Sequence, residues 1–291
     1  MDEELPGVIE AALAAMRAGD GEALAGLRTA DHVERWPQSG ESVQGRERLR
    51  ELQAAYPGGL PALGTVRRVA GRDELWTIEG RSTYPDGRDW FVVAILELNG
   101  ERIAQTTTYF CEPFPAPPWR AAHVVPFDPQ SPPAQLAPAG EPGDAEMARL
   151  GERYGRASAV RDWDELRRMR GAGWSVEWPQ SGERIPNHEA DVAIHGAYPG
   201  FPEIATERVS AGHEGWELSP LYTRVRVHGA GPLLVVEGAN TYASGERWLV
   251  VALLEVGDGH IRRETYYFGQ PFEAPAWRAR WVEPFDPLAP R

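Results

Sequence analysis

Trp36-Pro37-Gln38-Ser39-Gly40-Glu41 returns 142 residues later as Trp178-Pro179-Gln180-Ser181-Gly182-Glu183. Tyr56-Pro57-Gly58 returns at the same spacing as Tyr198-Pro199-Gly200. Further on, residues 90–98 (WFVVAILEL) match residues 248–256 (WLVVALLEV), now 158 apart. Residues 109–129 match residues 267–287 at that wider spacing, with 14 of 21 positions identical. Chance gives about one identity over such a stretch, so the chain is an internal duplication. The spacing grows by 16 residues within residues 201–222 of the second copy, an enlarged loop that carries His213, Trp216 and Tyr222.

Between the copies lies QSPPAQLAPAGEPG, residues 130–143, whose Pro, Ala and Gly content reads as a semi-rigid linker. The expected organisation is therefore copy one over 1–129 and copy two over 144–291.

Each copy opens with helical periodicity. Leu5, Ile9, Leu13 and Met16 form one stripe, matched by Met147, Leu150, Tyr154 and Ala157. Asp20 and Asp162 sit where a helix cap fits, before short second helices marked by Leu24 and Leu27, and by Leu166 and Met169. Pro37 sits in an extended stretch, which suggests an edge strand or arm. Residues 44–55 read as a third helix, ended by Tyr56-Pro57-Gly58. Three or four strands follow. Residues 75–84 and 89–98 flank the turn Pro85-Asp86-Gly87-Arg88, and Asn99-Gly100 turns into residues 101–110. Helices first and a meander second argue an α+β fold, with helices packed on one face of a curved antiparallel sheet.

The 291 residues carry 43 acids against 30 bases, a net charge of -13. Long-range repulsion then opposes phosphate backbones and anionic membranes, so neither nucleic acid nor membrane is an expected partner. Every base is arginine. Without lysine there is no Schiff-base chemistry and no Walker A loop. A single cysteine, Cys111, excludes an intramolecular disulfide and a thiolate zinc cluster. The histidines do not repeat between copies, and none has metal-ligand spacing. With no glycine-rich nucleotide fingerprint either, no metal and no cofactor is expected. The acidic start, Met1-Asp2-Glu3-Glu4, precedes no signal-peptide core, so the cytoplasm is the expected location.

Taken together, the WPQSGE block, the Tyr-Pro-Gly after the helix, the VVA-[IL]-LE strand, the Gly100 and Gly259 turns and the arm Tyr-Phe-x-x-Pro-Phe-x-Ala-Pro-x-Trp-Arg-Ala resemble the nuclear transport factor 2-like (NTF2-like, cystatin-cone) superfamily, in its SnoaL-like branch. The resemblance covers nearly all of both copies. It implies two cone domains, each with a cavity between helices and sheet. It also implies pairing through the sheets, which two copies in one chain could satisfy as an internal pseudo-dimer. Polyketide cyclases and isomerases of this kind work without a cofactor, from a His or Asp base deep in the cavity.

Alternation along residues 90–98 puts Phe91, Val93, Ile95 and Glu97 on one face and Trp90, Val92, Ala94 and Leu96 on the other. Both faces are largely apolar. Glu97 and Glu255 end an apolar row, as a base or as a margin carboxylate paired with Arg102 or Arg120. Glu79 and Glu237, on the preceding strand, could complete a two-carboxylate site or form salt bridges. Tyr109, Tyr267, Tyr84 and Tyr242 are candidate donors to an oxyanion, or core tyrosines. Trp36, Trp178, Tyr56, Tyr198 and Trp216 are candidate walls for a small hydrophobic ligand. Trp119-Arg120 and Trp277-Arg278 read as wrapping and cation–π contacts.

On the last strand, copy one has Gln105, Thr106 and Thr107 where copy two has Arg263, Glu264 and Thr265. Only the second has a charged pair there, so the second half is the expected active one: Glu264→Gln should abolish activity and Thr106→Val should not. Three functional readings stay open: a cofactor-free acid–base enzyme, a ligand carrier, and a scaffold for another protein.

Overall fold

A computed structural model describes residues 5–84, 86–198, 208–209, 216–217, 221–242 and 245–289. The capping aspartates act as the sequence suggests. Asp20 accepts from Ala23 N at 2.9 Å and Asp162 accepts from Glu165 N at 2.9 Å, so each starts a short second helix.

In chain order the first copy forms α1 (Gly7–Ala18), α2 (Gly21–Leu27), β1 (Arg28–Trp36), β2 (Glu41–Gln44), α3 (Arg46–Ala54), β3 (Leu63–Arg72), β4 (Leu75–Thr83), β5 (Asp89–Asn99), β6 (Arg102–Cys111) and the arm strand β7 (Val125–Pro126). The second forms α4 (Asp144–Val160), α5 (Trp163–Met169), β8 (Arg170–Trp178), β9 (Glu183–Ile185) and α6 (His188–Gly196). It continues with β10 (Arg208–Val209), β11 (Trp216–Glu217), β12 (Leu221–Ala230), β13 (Leu233–Thr241), β14 (Arg247–Gly257), β15 (His260–Gly269) and the arm strand β16 (Glu283–Pro284). Most of the enlarged loop, with His213, lies outside the described residues, as do the side chains of Trp216 and Tyr222.

Two seven-stranded sheets result, in the orders β16-β2-β1-β6-β5-β4-β3 and β12-β13-β14-β15-β8-β9-β7. Both are mixed, which corrects the antiparallel expectation. β1 runs parallel to β6, and β8 parallel to β15. The cause is topological: the third helix carries the chain away from the first long strand, and the meander brings its last strand back beside it in the same direction. Two long strands, β1 and β3, have no counterpart among the three ranges marked out from the sequence.

The compact units are not the sequence repeats. Unit 1 is Met1–Glu112 with Phe272–Pro287, and unit 2 is Pro113–Pro271 with Leu288–Arg291. Each proline-rich arm therefore belongs to the unit built by the other repeat. The linker runs along unit 2, where Gly140 N donates to Asp258 at 2.7 Å and Arg262 donates to Ala137 O at 2.6 Å.

The repeated hexapeptide is what receives the arm. In unit 1 the guanidinium of Arg278 lies 4.6 Å from the Trp36 ring centroid and pairs with Glu41, Nε at 3.0 Å and Nη2 closer still. Ser39 Oγ accepts from the same guanidinium at 3.2 Å. Unit 2 repeats the latch with Arg120, 4.4 Å from Trp178 and paired with Glu183. Gln38 and Gln180 clamp the neighbouring strand, their amides bonding both backbone groups of Phe110 and Phe268. Gly40 and Gly182 have φ of +64° and +65°, and a Cβ there would meet the arm carbonyls of Phe285 and Phe127 at 3.1 and 3.0 Å. Pro37 thus lies in a turn between β1 and β2, and one edge of each sheet, at β2 and at β9, is covered by an arm.

The latch is a buried ion pair whose removal by halves leaves an uncompensated charge. Arg120→Met is expected to destabilise unit 2 by about 3–5 kcal/mol. The double variant Arg120→Met/Glu183→Gln should recover part of that loss. Urea unfolding of the three proteins checks both outcomes.

Candidate functional site

Strand alternation decides what faces the helices. In unit 2 the even-numbered residues Val236 and Asn240 of β13, Trp248, Val250 and Ala252 of β14, and Glu264, Tyr266 and Phe268 of β15 line a cavity of about 430 Å³. α4, α5 and α6 close it with Tyr154, Trp163 and His195, and the arm adds Phe114, Trp119 and Arg120.

Glu264 is fully buried in this wall. Four donors hold its carboxylate: Tyr154 Oη at 2.6 Å and Tyr266 Oη at 2.8 Å on Oε2, and Trp174 Nε1 at 2.9 Å and Arg170 Nε at 3.2 Å on Oε1. Charge-assisted hydrogen bonds of this number offset the desolvation of a buried carboxylate. The two tyrosine hydroxyls also touch each other. Two phenolic protons cover two of these three oxygen–oxygen contacts. Burial, followed by the Glu264 charge, pushes both tyrosines well above the usual phenol range, so they stay protonated donors.

Arg170 links this carboxylate to a second one. Its Nη1 donates to Asp191 Oδ2 at 2.8 Å and to His188 Nδ1 at 2.7 Å, and its guanidinium stacks 3.7 Å from the Trp174 ring. Asp191 in turn faces His195. The Nδ1 of His195 lies 2.9 Å from the Asp191 carbonyl and 3.3 Å from its Oδ1. Both neighbours are acceptors, so Nδ1 carries a proton toward Asp191. The ring packs 5.0 Å from Trp163 and lines the cavity. Arg161, at the same wall, is drawn down to about 10 by burial, against the pull of Asp191 and Tyr198, and stays a cation at neutral pH.

Burial acts to raise the Asp191 carboxyl, but His195 and then Arg170 outweigh it and hold it at about 2 instead of 3.8. A depressed carboxyl stabilises the folded state above its unfolded value and loses that contribution as the pH falls through the folded one. Unit 2 is expected to lose about 2 kcal/mol between pH 4 and pH 2 from this group. Urea titrations of wild type and Asp191→Asn check it: the variant should be weaker at pH 6 and lack this part of the acid slope.

Unit 1 encloses a larger cavity, about 620 Å³, lined by even-numbered Ser82 of β4, Trp90, Val92 and Ala94 of β5, and Thr106, Thr108 and Phe110 of β6. Its carboxylate is Glu34, on β1, which accepts from Thr108 Oγ1 at 2.9 Å and lies 3.8 Å from Arg28 Nη2. Glu34 pairs across the sheet with Thr106, and Glu264 pairs with Val176. The carboxylate has thus moved to the neighbouring strand at the same rung. Copy one has no charge at Thr106, as expected, yet its cavity is not without a carboxylate.

The candidate residues divide by face. Trp36, Tyr56 and Tyr84 line the unit 1 cavity, and Trp178, Tyr198, Tyr242 and Glu264 line the unit 2 cavity. Tyr56 meets Trp277 edge-on at 5.2 Å, and Tyr198 meets Trp119 at 5.4 Å. The arm aromatics are therefore cavity wall as well as wrapping. Glu79, Glu97, Tyr109, Glu237, Glu255 and Tyr267 have odd numbers and point to the opposite face of their sheets. Glu255 is held by Arg263 at 2.7 and 2.8 Å, and Glu97 accepts from Gln105 Nε2. Glu255 is thus a margin carboxylate paired with an arginine, Arg263. Glu79 pairs with Arg67 at 3.2 Å and with Arg68, and Glu237 lies 3.5 Å from His228. The adjacent pair Arg263-Glu264 is split by the same alternation, one residue to each face. His195, Asp191, Tyr154, Arg170 and Glu34 were not anticipated. Cys111 is buried, and burial pushes its thiol up.

No protein-family model matches the chain, and no curated protein matches it. Solved structures do. An NTF2-like protein of unknown function from Burkholderia xenovorans is 36% identical, over 40% of this chain and 91% of that one, with a TM-score of 0.38. A protein of ketosteroid isomerase-like fold from Catenulispora acidiphila, solved with trimethylamine, is 21% identical over 36% and 86%, with a TM-score of 0.32. An LEH-like epoxide hydrolase of M. tuberculosis is 19% identical over 36% and 80%, with a TM-score of 0.30. Identity of 36% over nine-tenths of the Burkholderia protein, on a chain that forms the helix-then-sheet unit twice, places it: the chain belongs to the NTF2-like family and carries two copies of its fold.

Proposed function

We propose that unit 2 is a cofactor-independent acid–base enzyme for a small, largely apolar substrate bearing a carbonyl or epoxide oxygen. The reaction class is isomerisation, cyclisation or epoxide opening. One observation carries this reading: a continuous polar chain, His195–Asp191–Arg170–Glu264–Tyr154/Tyr266, set into the wall of a cavity lined mostly by aromatic and aliphatic groups. In this reading His195 Nε2 takes the proton, oriented by Asp191 behind it. Tyr154 and Tyr266 hydrogen-bond the oxygen on which negative charge develops. Glu264 accepts a hydrogen bond from each tyrosine and so fixes where the two hydroxyls stand in the cavity wall.

A carrier reading is favoured by one fact: all four acceptor sites of Glu264 already have donors. The two readings separate by experiment. Small molecules that co-purify from the native host are identified by mass spectrometry. Cyclic enones and aliphatic epoxides are then incubated with the protein in deuterium oxide and followed by NMR. The enzyme reading expects deuterium beside the carbonyl or diol from the epoxide, with His195→Gln and Tyr266→Phe slower by about 10²–10⁴-fold. Bound ligand with neither exchange nor opening establishes the carrier.

A further inference from the structure

We propose that the unit 1 cavity is a second ligand site of different charge preference, built for an apolar molecule with a carboxylate that seats on Arg28. The two copies supply the comparison. Arg170 in unit 2 meets two carboxylates, Asp191 and Glu264, and uses Nε and Nη1 on them. Arg28 occupies the equivalent start of β1 in unit 1, and its side chain is as buried, 5% exposed against 6% for Arg170. Its surroundings have lost acceptors. Leu49 stands where Asp191 stands, and Thr106 where Glu264 stands. What remains is Gln53 Oε1 at 3.2 Å from Nη1, and Glu34 at 3.8 Å from Nη2, an ion pair too long for a hydrogen bond. Arg28 Nε is buried and, among the described residues, has no hydrogen-bond partner.

Such a guanidinium is short of acceptors. Five N–H donors in a fixed fork face one amide oxygen and one distant carboxylate. Burial, the larger influence, lowers the affinity of Arg28 for its proton, with Glu34 only partly opposing it. Unit 2 shows the full complement for this position: one guanidinium and two carboxylates. Unit 1 provides one, and a ligand carboxylate would be the second. Arg28 lines the 620 Å³ cavity together with Gln53, Tyr84 and Trp90, so the rest of such a molecule would lie among aromatic and aliphatic groups. The same ligand is disfavoured in unit 2, where a third carboxylate would meet Arg170.

The test uses the full chain and isothermal titration calorimetry. Hexanoate, cyclohexanecarboxylate and 1-naphthoate are each compared with their primary amides. At least one carboxylate is expected to bind with one site per chain, at least about tenfold tighter than its amide. Arg28→Gln should remove that preference. Ala94→Trp, which fills the unit 1 cavity, should abolish the binding, whereas Ala252→Trp at the matching position in unit 2 should leave it. Ala94→Trp keeps the test decisive should Arg28→Gln fail to fold. The inference is overturned if no carboxylate in the panel binds, if amides bind as well as acids, or if Ala252→Trp alone removes the binding. Any of these leaves the unit 2 reading standing, because that one is read by turnover.

Discussion

Glu264→Gln is expected to lower turnover by about 10³-fold or more, with the protein still folded. Glutamine keeps the shape of the side chain and one acceptor oxygen. It adds an NH₂ that must face either Arg170 and Trp174 or the two tyrosines, and all of these are donors. Whichever way the amide turns, one donor group loses its acceptor. The tyrosine hydroxyls then meet either a neutral amide oxygen or an amide N–H in place of the carboxylate, and the charge that held them is gone. Removing one charge also leaves Arg170 with Asp191 alone, a loss of about 3–5 kcal/mol in a buried network. Near-UV circular dichroism and urea unfolding therefore accompany the kinetics. Thr106→Val, at the matching rung of unit 1, should leave unit 2 turnover unchanged. A folded Glu264→Gln protein with wild-type turnover would remove Glu264 from the chemistry and make the network structural.

The fold was legible because duplication repeated each local signal. Helix stripes, capping aspartates and the Asn99-Gly100 turn each appear at a fixed place, and the elements formed there. What single-residue patterns could not supply was the choice of face. Residues 90–98 are apolar on both sides, so alternation named two faces and could not say which met the helices. Choosing the face of Glu97 drew Glu79, Tyr109 and their copies with it, since antiparallel neighbours share a face at each rung. Glu264 was found because its position, unlike those, differs in charge between the copies. Comparison by position missed Glu34 for the same reason. A carboxylate moved from one strand to its hydrogen-bonded neighbour disappears from an alignment of the repeats, but stays in the same place in space. His195 was hidden by the helix: its partner is Asp191, one turn earlier, and nothing in the sequence marks which face of residues 188–196 meets a cavity.

Truncation after Pro271 is expected to unfold unit 1 and to spare the unit 2 cavity. The repeats assign residues 272–287 to copy two, so copy two should suffer if repeats and units coincided. The packing says otherwise. Trp281 belongs to a buried cluster with Trp36, Val43, Leu49 and Leu52, and Trp277 and Val282 pack against it. The same segment supplies the Arg278–Glu41 latch, the Arg48–Glu283 pair at 2.7 Å and the edge strand on β2. Losing one large buried aromatic costs about 3–5 kcal/mol. Losing the whole arm therefore approaches the total stability of a domain, about 5–15 kcal/mol. Unit 2 gives up only residues 288–291 and keeps Phe114, Trp119 and Arg120 in its cavity wall. Hydrogen exchange read by mass spectrometry should show protection lost in β1 to β6 and retained in β13 to β15. Turnover in unit 2 should survive the cut, while carboxylate binding at Arg28 should not. The opposite pattern, with β13 to β15 exposed and β1 to β6 protected, would return each arm to its own repeat.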